Sequence, residues 1–164
     1  ADIVKGDRPG KVTIIPKARK ITVGVNNGGI KIGDQGFDVR NVPDPRYIAY
    51  IGNTPVDLRN GIRANQIATL RFAAEPETNF KEEVPKDARY RVKRAEIILG
   101  RGTAGVQRLN ATNENPDLRA WTNQARPGDR IIIDIKDVIR GTYQHDAEKV
   151  VPKGSAGIIS IPII

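Results

Sequence analysis

The chain has 164 residues, contains neither cysteine nor methionine, and carries a formal net charge of +8. This length suffices for one domain of ordinary size together with part of a neighbour. The absence of cysteine excludes disulfides, thiolate catalysis and thiolate metal sites.

The positive charge first suggests a nucleic-acid partner, but the distribution of residues argues against one. Basic residues are spread along the whole sequence, and only three Phe, four Tyr and one Trp are available to stack on bases. The sequence also lacks a helix-turn-helix, zinc-finger or RNP-type motif. We therefore predict no nucleic-acid partner.

No run of about twenty apolar residues occurs, so the sequence predicts no membrane span in this segment. Because the chain starts at Ala1 without a methionine, we expect a piece cut from a longer protein, with any anchor or export signal upstream. The apolar residues 157–164 predict a final strand that joins a sheet, so we expect the piece to reach the natural end of its protein.

The first forty residues alternate in the manner of strands. Residues 11–15 and 21–25 predict two strands, and Asn26-Asn27-Gly28-Gly29 predicts a hairpin turn, because Asn and Gly tolerate a positive φ. Residues 30–32 and 37–39 continue the pattern. These strands are too few to form a sandwich alone, so they predict the end of a preceding β-domain.

A domain boundary is predicted at Val42-Pro43-Asp44-Pro45, where two prolines fix φ twice and remove two backbone donors. We interpret residues 1–43 as the C-terminal strands of a preceding β-domain and residues 44–164 as a C-terminal β-sandwich domain. Pro43, Asp44 and Pro45 are the predicted domain hinge, and we expect this link to be semi-rigid.

The remaining residues predict mainly strands. The segments are 47–51, 67–73, 89–100, 131–139 and 157–164. Residues 54–65 indicate either a short helix or an irregular turn, and residues 75–87 indicate a solvated loop. One short helix is predicted from Asn115 to Ala125, with Pro116 at its first position and Trp121 as an anchor into the core. The predicted fold class is therefore mainly β, an immunoglobulin-like antiparallel β-sandwich with one short helix.

Two motifs suggest enzyme chemistry and fail on closer inspection. Gly100-Arg101-Gly102-Thr103-Ala104-Gly105 matches G-x-G-x-x-G, but no helix and no second strand are predicted after it, so a hairpin loop is favoured. His145 with Asp146 and either Ser155 or Ser160 can be drawn as a triad. Neighbours on a loop rarely orient one another, and no strained elbow exposes a serine, so solvated loop groups are favoured.

Carboxylates offer no better site. On a regular strand Asp134 and Asp137 would point to opposite faces, which prevents them from sharing a cation. The acidic residues of segment 75–87 are expected in a solvated, mobile loop; they are Glu75, Glu77, Glu82 and Glu83. We predict no catalytic, cofactor-binding or metal-binding residue, no cofactor, and a protein that is not an enzyme.

A basic strand carries the one functional surface that the sequence suggests. In the segment 89–93, the period of two places Arg89, Arg91 and Lys93 on one face and Tyr90 and Val92 on the other. One interpretation is an ordinary solvated face of the sandwich. The other is a cationic stripe that meets an acidic partner protein and sets the rate and register of association.

Several segments follow one another in a distinctive order and spacing: Val42-Pro43-Asp44-Pro45, Gly61-Ile62-Arg63-Ala64, Tyr90-Arg91-Val92, Leu118-Arg119-Ala120-Trp121, Gly128-Asp129-Arg130-Ile131-Ile132-Ile133 and Ile158-Ile159-Ser160-Ile161-Pro162-Ile163. Together they resemble the C-terminal periplasmic region of the GldM/PorM family, core components of the type IX secretion and gliding machinery of Bacteroidetes. The chain departs from the family after Phe72, where Ala73-Ala74-Glu75-Pro76 stands and the family often has Phe-Asp-Phe-Asp. The high Arg and Lys content looks more like the PorM branch.

The resemblance implies a non-enzymatic, structural module that transmits force in the periplasm. It implies a parent protein anchored in the inner membrane by an N-terminal helix, and a homodimer. The implied partners are the inner-membrane protein PorL (GldL), reached through an absent N-terminal part, and the ring proteins PorK and PorN (GldK and GldN) at the outer membrane. The alternative hypothesis is a periplasmic β-sandwich that binds a polyanion or a glycan.

Overall fold

In a computed structural model, the described residues are 2–6, 8 and 11–164. The chain divides into two compact units, Ala1–Val42 and Pro43–Ile164. Predictions that fall on residues 1, 7, 9 and 10 lie outside the described residues.

The first unit consists of two antiparallel hairpins in its described part. Strands β1 (Asp2–Lys5) and β2 (Val12–Ile15) form one, and β3 (Lys20–Asn27) and β4 (Ile30–Asp38) form the other. The predicted turn between β3 and β4 is confirmed, since Gly28 and Gly29 adopt φ values of 57° and 85°. None of the described side chains of this unit is fully buried. Two-stranded hairpins of this kind are only marginally stable alone.

The second unit contains the remaining strands and three short helical segments. The strands are β5 (Arg46–Ile51), β6 (Thr54–Pro55), β7 (Leu70–Glu75), β8 (Arg89–Arg101), β9 (Ala104–Ala111), β10 (Arg130–Gly141), β11 (Ala147–Val150) and β12 (Ile158–Pro162). The helical segments are the 3-10 helices Ala64–Thr69 and Arg119–Trp121 and the α-helix α1 (Thr78–Glu83).

These strands form two antiparallel sheets. The smaller has the order β6-β5-β7, and the larger has the order β11-β10-β8-β9. Strand β12 pairs with the first half of β10, on the edge where β11 pairs with its second half. Strand β10 is therefore flanked by β8 on one side and by β12 and then β11 on the other, and it forms the centre of the larger sheet.

The two sheets share one apolar core. Strand β7 alternates as a half-buried strand should, with Leu70, Phe72 and Ala74 buried. The buried side chains of the larger sheet that meet them are Val92, Ala95, Ile97, Leu99, Ile131, Ile133, Ile135, Val138, Ile159 and Ile161. The 3-10 helices add Ile67 and Trp121 to the same core, as expected for Trp121. The predicted mainly β sandwich is confirmed.

A β-bulge between β8 and β10 corrects the expectation for Asp134 and Asp137. The register shifts around Asp137, so Ile135 and Val138 are both buried although they are three residues apart. The side chain of Asp137 therefore lies on the solvent side of the sheet, where its carboxylate binds Lys149 at 2.9 Å and Arg94 at 2.8 Å. Asp134 pairs with Lys136. Each carboxylate is thus neutralised by a cation on the solvent side.

Glu114 connects the two sheets. Its carboxylate accepts a hydrogen bond from the backbone N–H of Val92 in the larger sheet, with an N–O distance of 2.8 Å. Its carbonyl oxygen accepts one from the N–H of Phe72 in the smaller sheet, at 3.0 Å. The loop that carries Glu114 therefore satisfies backbone donors at the edges of both sheets.

The predicted helix from Asn115 to Ala125 is wrong in length. Only Arg119–Trp121 is helical, as one 3-10 turn. The carboxylate of Asp117 binds the N–H and guanidinium of Arg119, and Leu118 and Trp121 are both buried. Burial of these two side chains holds the segment against the core, and after Trp121 the chain continues as a hydrogen-bonded turn, in which Ala125 N–H donates to the Trp121 carbonyl at 2.9 Å.

Four other elements differ from the sequence predictions. The segment 67–73 begins as a 3-10 helix and becomes a strand only at Leu70. The expected loop 75–87 contains α1, and β11 forms after Gly141, in a region for which no strand was predicted. After Gly100–Gly105 the chain continues as strand β9, although no second strand was predicted there. The motif is nevertheless a hairpin, because β9 returns antiparallel to β8.

Candidate interaction surface

The first five residues of β8 present alternate faces to solvent and to the core. Arg89, Arg91 and Lys93 are exposed, Tyr90 is half-buried and Val92 is buried. This alternation follows from the period of two in an extended strand. The three predicted side chains therefore lie on the solvent side of the larger sheet.

The side chain of Arg89 is held by hydrogen bonds to neutral groups. Its Nε donates to the carbonyl oxygen of Lys86 at 3.0 Å, and its Nη2 donates to that of Thr142 at 2.9 Å. A Cβ atom added at Gly141 would lie 3.7 Å from those two donor nitrogens, so the guanidinium lies across the position where a larger residue would project. Carbonyl groups are neutral, so the positive charge of Arg89 stays uncompensated.

The positive charges of Arg91 and Lys93 are also uncompensated, because no carboxylate of the described residues forms an ion pair with either. Several other cations of this sheet are paired: Arg94 and Lys149 with Asp137, Arg108 with Glu96, and Lys136 with Asp134. The hydrogen bond from Lys149, followed by the charge of Arg94, lowers the pKa of Asp137. Arg130, which donates to the hydroxyl of Ser160, also lacks a carboxylate partner among the described residues, but Arg89, Arg91 and Lys93 are the three unpaired cations that lie side by side on one strand.

The hairpin formed by β10 and β11 lies beside the stripe. Residues 142–146 connect β10 to β11 in a tight turn, in which Thr142 N–H donates to the Asp146 carbonyl at 2.9 Å. His145 adopts a φ of 66°. The buried guanidinium of Arg140 donates to Glu148 at 2.6 Å and to the Asp87 carbonyl at 3.1 Å. These bonds hold the hairpin against the segment that precedes β8.

An open groove of about 400 Å³ lies between the stripe and the hairpin. Its lining includes the stripe, with Ile139, Gly141, His145, Asp146 and Ala147 on the side of β10 and β11. Gly141 and Ala147 occupy paired positions on neighbouring strands, and their small size leaves the space open. Sequence reasoning found one wall of this groove and missed the other, since only the pairing of β10 with β11 places Gly141 and Ala147 together.

The predicted hinge residues are bound to the second unit. The hydroxyl of Tyr90 donates to the carbonyl oxygen of Pro43 at 3.1 Å, and Lys153 Nζ binds the carboxylate of Asp44 at 2.8 Å. Pro45 is buried. Burial, and then the charge of Asp44, raises the pKa of Tyr47. Burial is also the largest cause that raises the pKa of Tyr90. The segment 43–45 is therefore attached to β8 and to the loop before β12.

The residues considered for catalysis are engaged elsewhere. The hydroxyl of Ser160 accepts a hydrogen bond from Arg130 at 2.9 Å, and Glu75 binds the hydroxyl of Tyr50, whose pKa that bond raises. His145 and Asp146 lie exposed in the turn that lines the groove. Within the described part of the chain, no cluster of three or more His, Asp or Glu side chains is placed to hold a metal ion.

The architecture and this surface define an antiparallel β-sandwich whose most distinctive feature is a cationic groove. Residues 43–163 match the family described as the GldM C-terminal domain, so the chain belongs to that family and the resemblance is confirmed. The chain is accordingly a component related to gliding motility and type IX secretion, and the family is a periplasmic region of a membrane-anchored protein. Neither the curated proteins nor the solved structures gave a significant match. No helix in the described residues has the length and apolarity needed to cross a bilayer.

Proposed function

We propose that the chain is a structural module that transmits force in the periplasm. Its terminal sandwich docks on the ring of PorK and PorN (GldK and GldN) at the outer membrane. A preceding part of the protein, outside this sequence, connects it to the inner-membrane motor protein PorL (GldL). The family supports a role in secretion and gliding.

The observation that carries this proposal is the position of Tyr90, which lies between Arg89 and Arg91 of the stripe on strand β8. The hydroxyl of Tyr90 holds the carbonyl oxygen of Pro43, the first residue of the second unit. Its neighbours Arg89 and Arg91 project to the opposite, exposed side of the same strand. A force applied at Pro43 would be transmitted to the docking surface through one segment of strand β8, without passing through a loop.

The stripe is suited to an acidic partner surface. Its three cations lack carboxylate partners among the described residues, so a partner would not have to displace existing ion pairs. An exposed ion pair contributes at most about 1 kcal/mol, so each contact alone is weak. Together the charges raise the association rate and fix the register.

We also propose that the chain forms a homodimer. The first unit supports this, because its described strands form only two-stranded hairpins with exposed apolar side chains such as Ile30, Ile32 and Phe37. Association with a second copy would bury this surface. Light scattering at tens of micromolar should give twice the chain mass, and a stable monomer would contradict the proposal.

Capture of the purified ring proteins by the immobilised chain tests the docking surface. The variant Arg89→Glu, Arg91→Glu, Lys93→Glu should lose most of the captured ring protein, because repulsion replaces attraction. The matched control reverses three other exposed cations, Arg59, Arg63 and Lys81, and has the same net charge. Thermal melting checks that both variants fold. Equal capture by both variants would overturn the proposed docking surface.

The polyanion alternative makes a different prediction for the same proteins. A general polyanion surface responds to total charge, so both triple variants should elute from heparin at similarly reduced salt. The docking proposal instead expects ring capture to depend on which three cations are reversed. If heparin binding and ring capture fell in parallel in both variants, the alternative would be favoured.

A further inference from the structure

The groove beside the stripe is a concave site and not only a charged surface. Its volume of about 400 Å³ falls within the range of about 300–1,000 Å³ typical of ligand pockets. One wall carries the cations of β8, and Ile139 contributes an apolar floor. A flat charged face would accept any polyanion, whereas a groove selects for a ligand that fits between the walls.

The space in the groove results from two small residues. Gly141 pairs with Arg89 on one side and with Ala147 on the other, so this row of the sheet has no large side chain next to the guanidinium. The nearest atoms to a Cβ placed at Gly141 belong to the Arg89 side chain, at 3.7–3.8 Å. These are ordinary contacts, so alanine fits here, whereas a larger side chain would occupy the groove.

Both walls of the groove are held by hydrogen bonds within the chain. Arg89 is held by the carbonyl oxygens of Lys86 and Thr142. The facing hairpin is held by the contacts of Arg140 with Glu148 and Asp87. A site whose donors are already oriented loses less conformational entropy on binding.

The spacing of the cations indicates the conformation of the ligand. Arg89 and Arg91 pair regularly with Gly141 and Ile139 of β10, so they are separated by about 6.6–6.8 Å along the extended strand, and Lys93 follows at the irregularity between Val92 and Arg94. A peptide in extended conformation places alternate side chains on one side at the same interval. Carboxylates at alternate positions would therefore face Arg89 and Arg91 in register, with Lys93 next along the stripe. Asp146, the one carboxylate in the lining, lies on the opposite wall and would repel an acidic ligand from that side.

We infer that this groove binds an extended acidic segment of a partner protein, with carboxylates at alternate positions along the stripe. The inference rests on the proposed function in that the partner is taken to be a ring protein. The intervening side chains of the segment point away from the cations.

The probe is a short fluorescent peptide in which Glu alternates with Ser, compared with an isomer whose Glu residues are contiguous. Both have the same charge, but neighbouring side chains of the isomer point to opposite sides, so fewer carboxylates face the stripe. The alternating peptide should bind more tightly to the full chain. Equal affinity for the two isomers would overturn the inference in favour of non-selective attraction.

Substitutions at Gly141 test the groove without changing any charge. Gly141→Val should weaken binding of the alternating peptide about tenfold or more, equivalent to about 1.4 kcal/mol, because its side chain fills the groove. Gly141→Ala is the matched control and should change affinity less than about twofold. Ala147→Leu fills the groove from the neighbouring strand and serves as a second variant should Gly141→Val melt early. Unchanged binding by a folded, groove-filling variant would overturn the inference.

Ring capture measured in parallel separates this inference from the proposed function. Suppose Gly141→Val loses the peptide but the triple reversal of the stripe captures ring protein normally. The groove is then an acidic-peptide site, and the proposed docking surface is wrong. If the triple reversal abolishes ring capture while Gly141→Val binds peptide and ring normally, docking stands and the groove inference is wrong. Heparin that binds Gly141→Val and wild type equally, and displaces the peptide from both, also counts against the groove.

Discussion

Asp129 is held by Arg101 through two parallel hydrogen bonds, from Nε to Oδ1 and from Nη2 to Oδ2, both 2.8 Å long. The carboxylate is buried at the start of β10, and it also accepts the N–H of Arg126 at 2.9 Å. The hydrogen bond from Arg101 is the largest cause that lowers the pKa of Asp129 from its ordinary value of 3.8. The pair fixes the end of the β8–β9 hairpin to the turn that precedes β10.

This pair predicts a pH-dependent loss of stability in Arg101→Leu. Because the pKa of Asp129 is lowered in the folded state, ionisation of Asp129 stabilises the fold above the unfolded pKa, and this stabilisation disappears as the pH falls through the folded pKa. The free energy of unfolding should therefore differ between wild type and variant near pH 7, and the difference should shrink below about pH 4. Urea denaturation across this range provides the measurement. A difference independent of pH would contradict the role assigned to the pair.

Gly61 predicts a large cost for a small substitution. It has a φ of 71°, and a Cβ atom there would lie 2.4 Å from the carbonyl oxygen of Pro162. The close approach allows Ile62 to exchange backbone hydrogen bonds with Pro162 and Ile164, at 2.9 and 3.0 Å. Gly61→Ala should lower the free energy of unfolding by about 2–4 kcal/mol, through both strain and overlap.

Gly52 is the matched control for that substitution. It also has a positive φ, 59°, but a Cβ atom added there would have no other atom within 4 Å. Gly52→Ala should therefore cost only the backbone strain, about 1 kcal/mol. Equal destabilisation by the two substitutions, measured by urea denaturation, would show that the contact with Pro162 is unimportant.

Sequence patterns predicted the long strands because their alternation is decided locally. Residues 89–100 and 131–139 were found nearly in full, since each buries one apolar face along most of its length. The position of the bulge was not predictable. It depends on how β8 and β10 pair, and it decides that Asp137 faces Lys149 and not the opposite side of the sheet.

Short segments were predicted poorly because tertiary packing determines their structure. Ile67 looked like the start of a strand, but its side chain enters the core from a 3-10 turn. Trp121 was correctly placed in the core, although the helix around it is one turn long. The stripe was visible in the sequence, whereas the groove also needs Gly141, which is distant in the chain.

Tyr90 predicts a specific weakening of the attachment of Pro43. Tyr90→Phe removes the hydrogen bond to the Pro43 carbonyl, which should cost about 0.5–1.5 kcal/mol. Tyr47→Phe is the control, because Tyr47 is also half-buried but its hydroxyl has no hydrogen-bond partner among the described residues. Amide hydrogen exchange near residues 42–46 should accelerate only in Tyr90→Phe. Equal exchange in both variants would remove Tyr90 from the proposed load path.

The prolines of the predicted hinge lead to the last prediction. Pro43 and Pro45 restrict the backbone on both sides of Asp44, whose carboxylate binds Lys153. Replacing both prolines with glycine should widen the distribution of orientations between the two units, because glycine leaves φ free. Small-angle scattering should then show a larger radius of gyration or a broader distance distribution. Thermal melting serves as the control, since the second unit keeps its core. A scattering curve identical to that of wild type would show that the prolines do not stiffen the link.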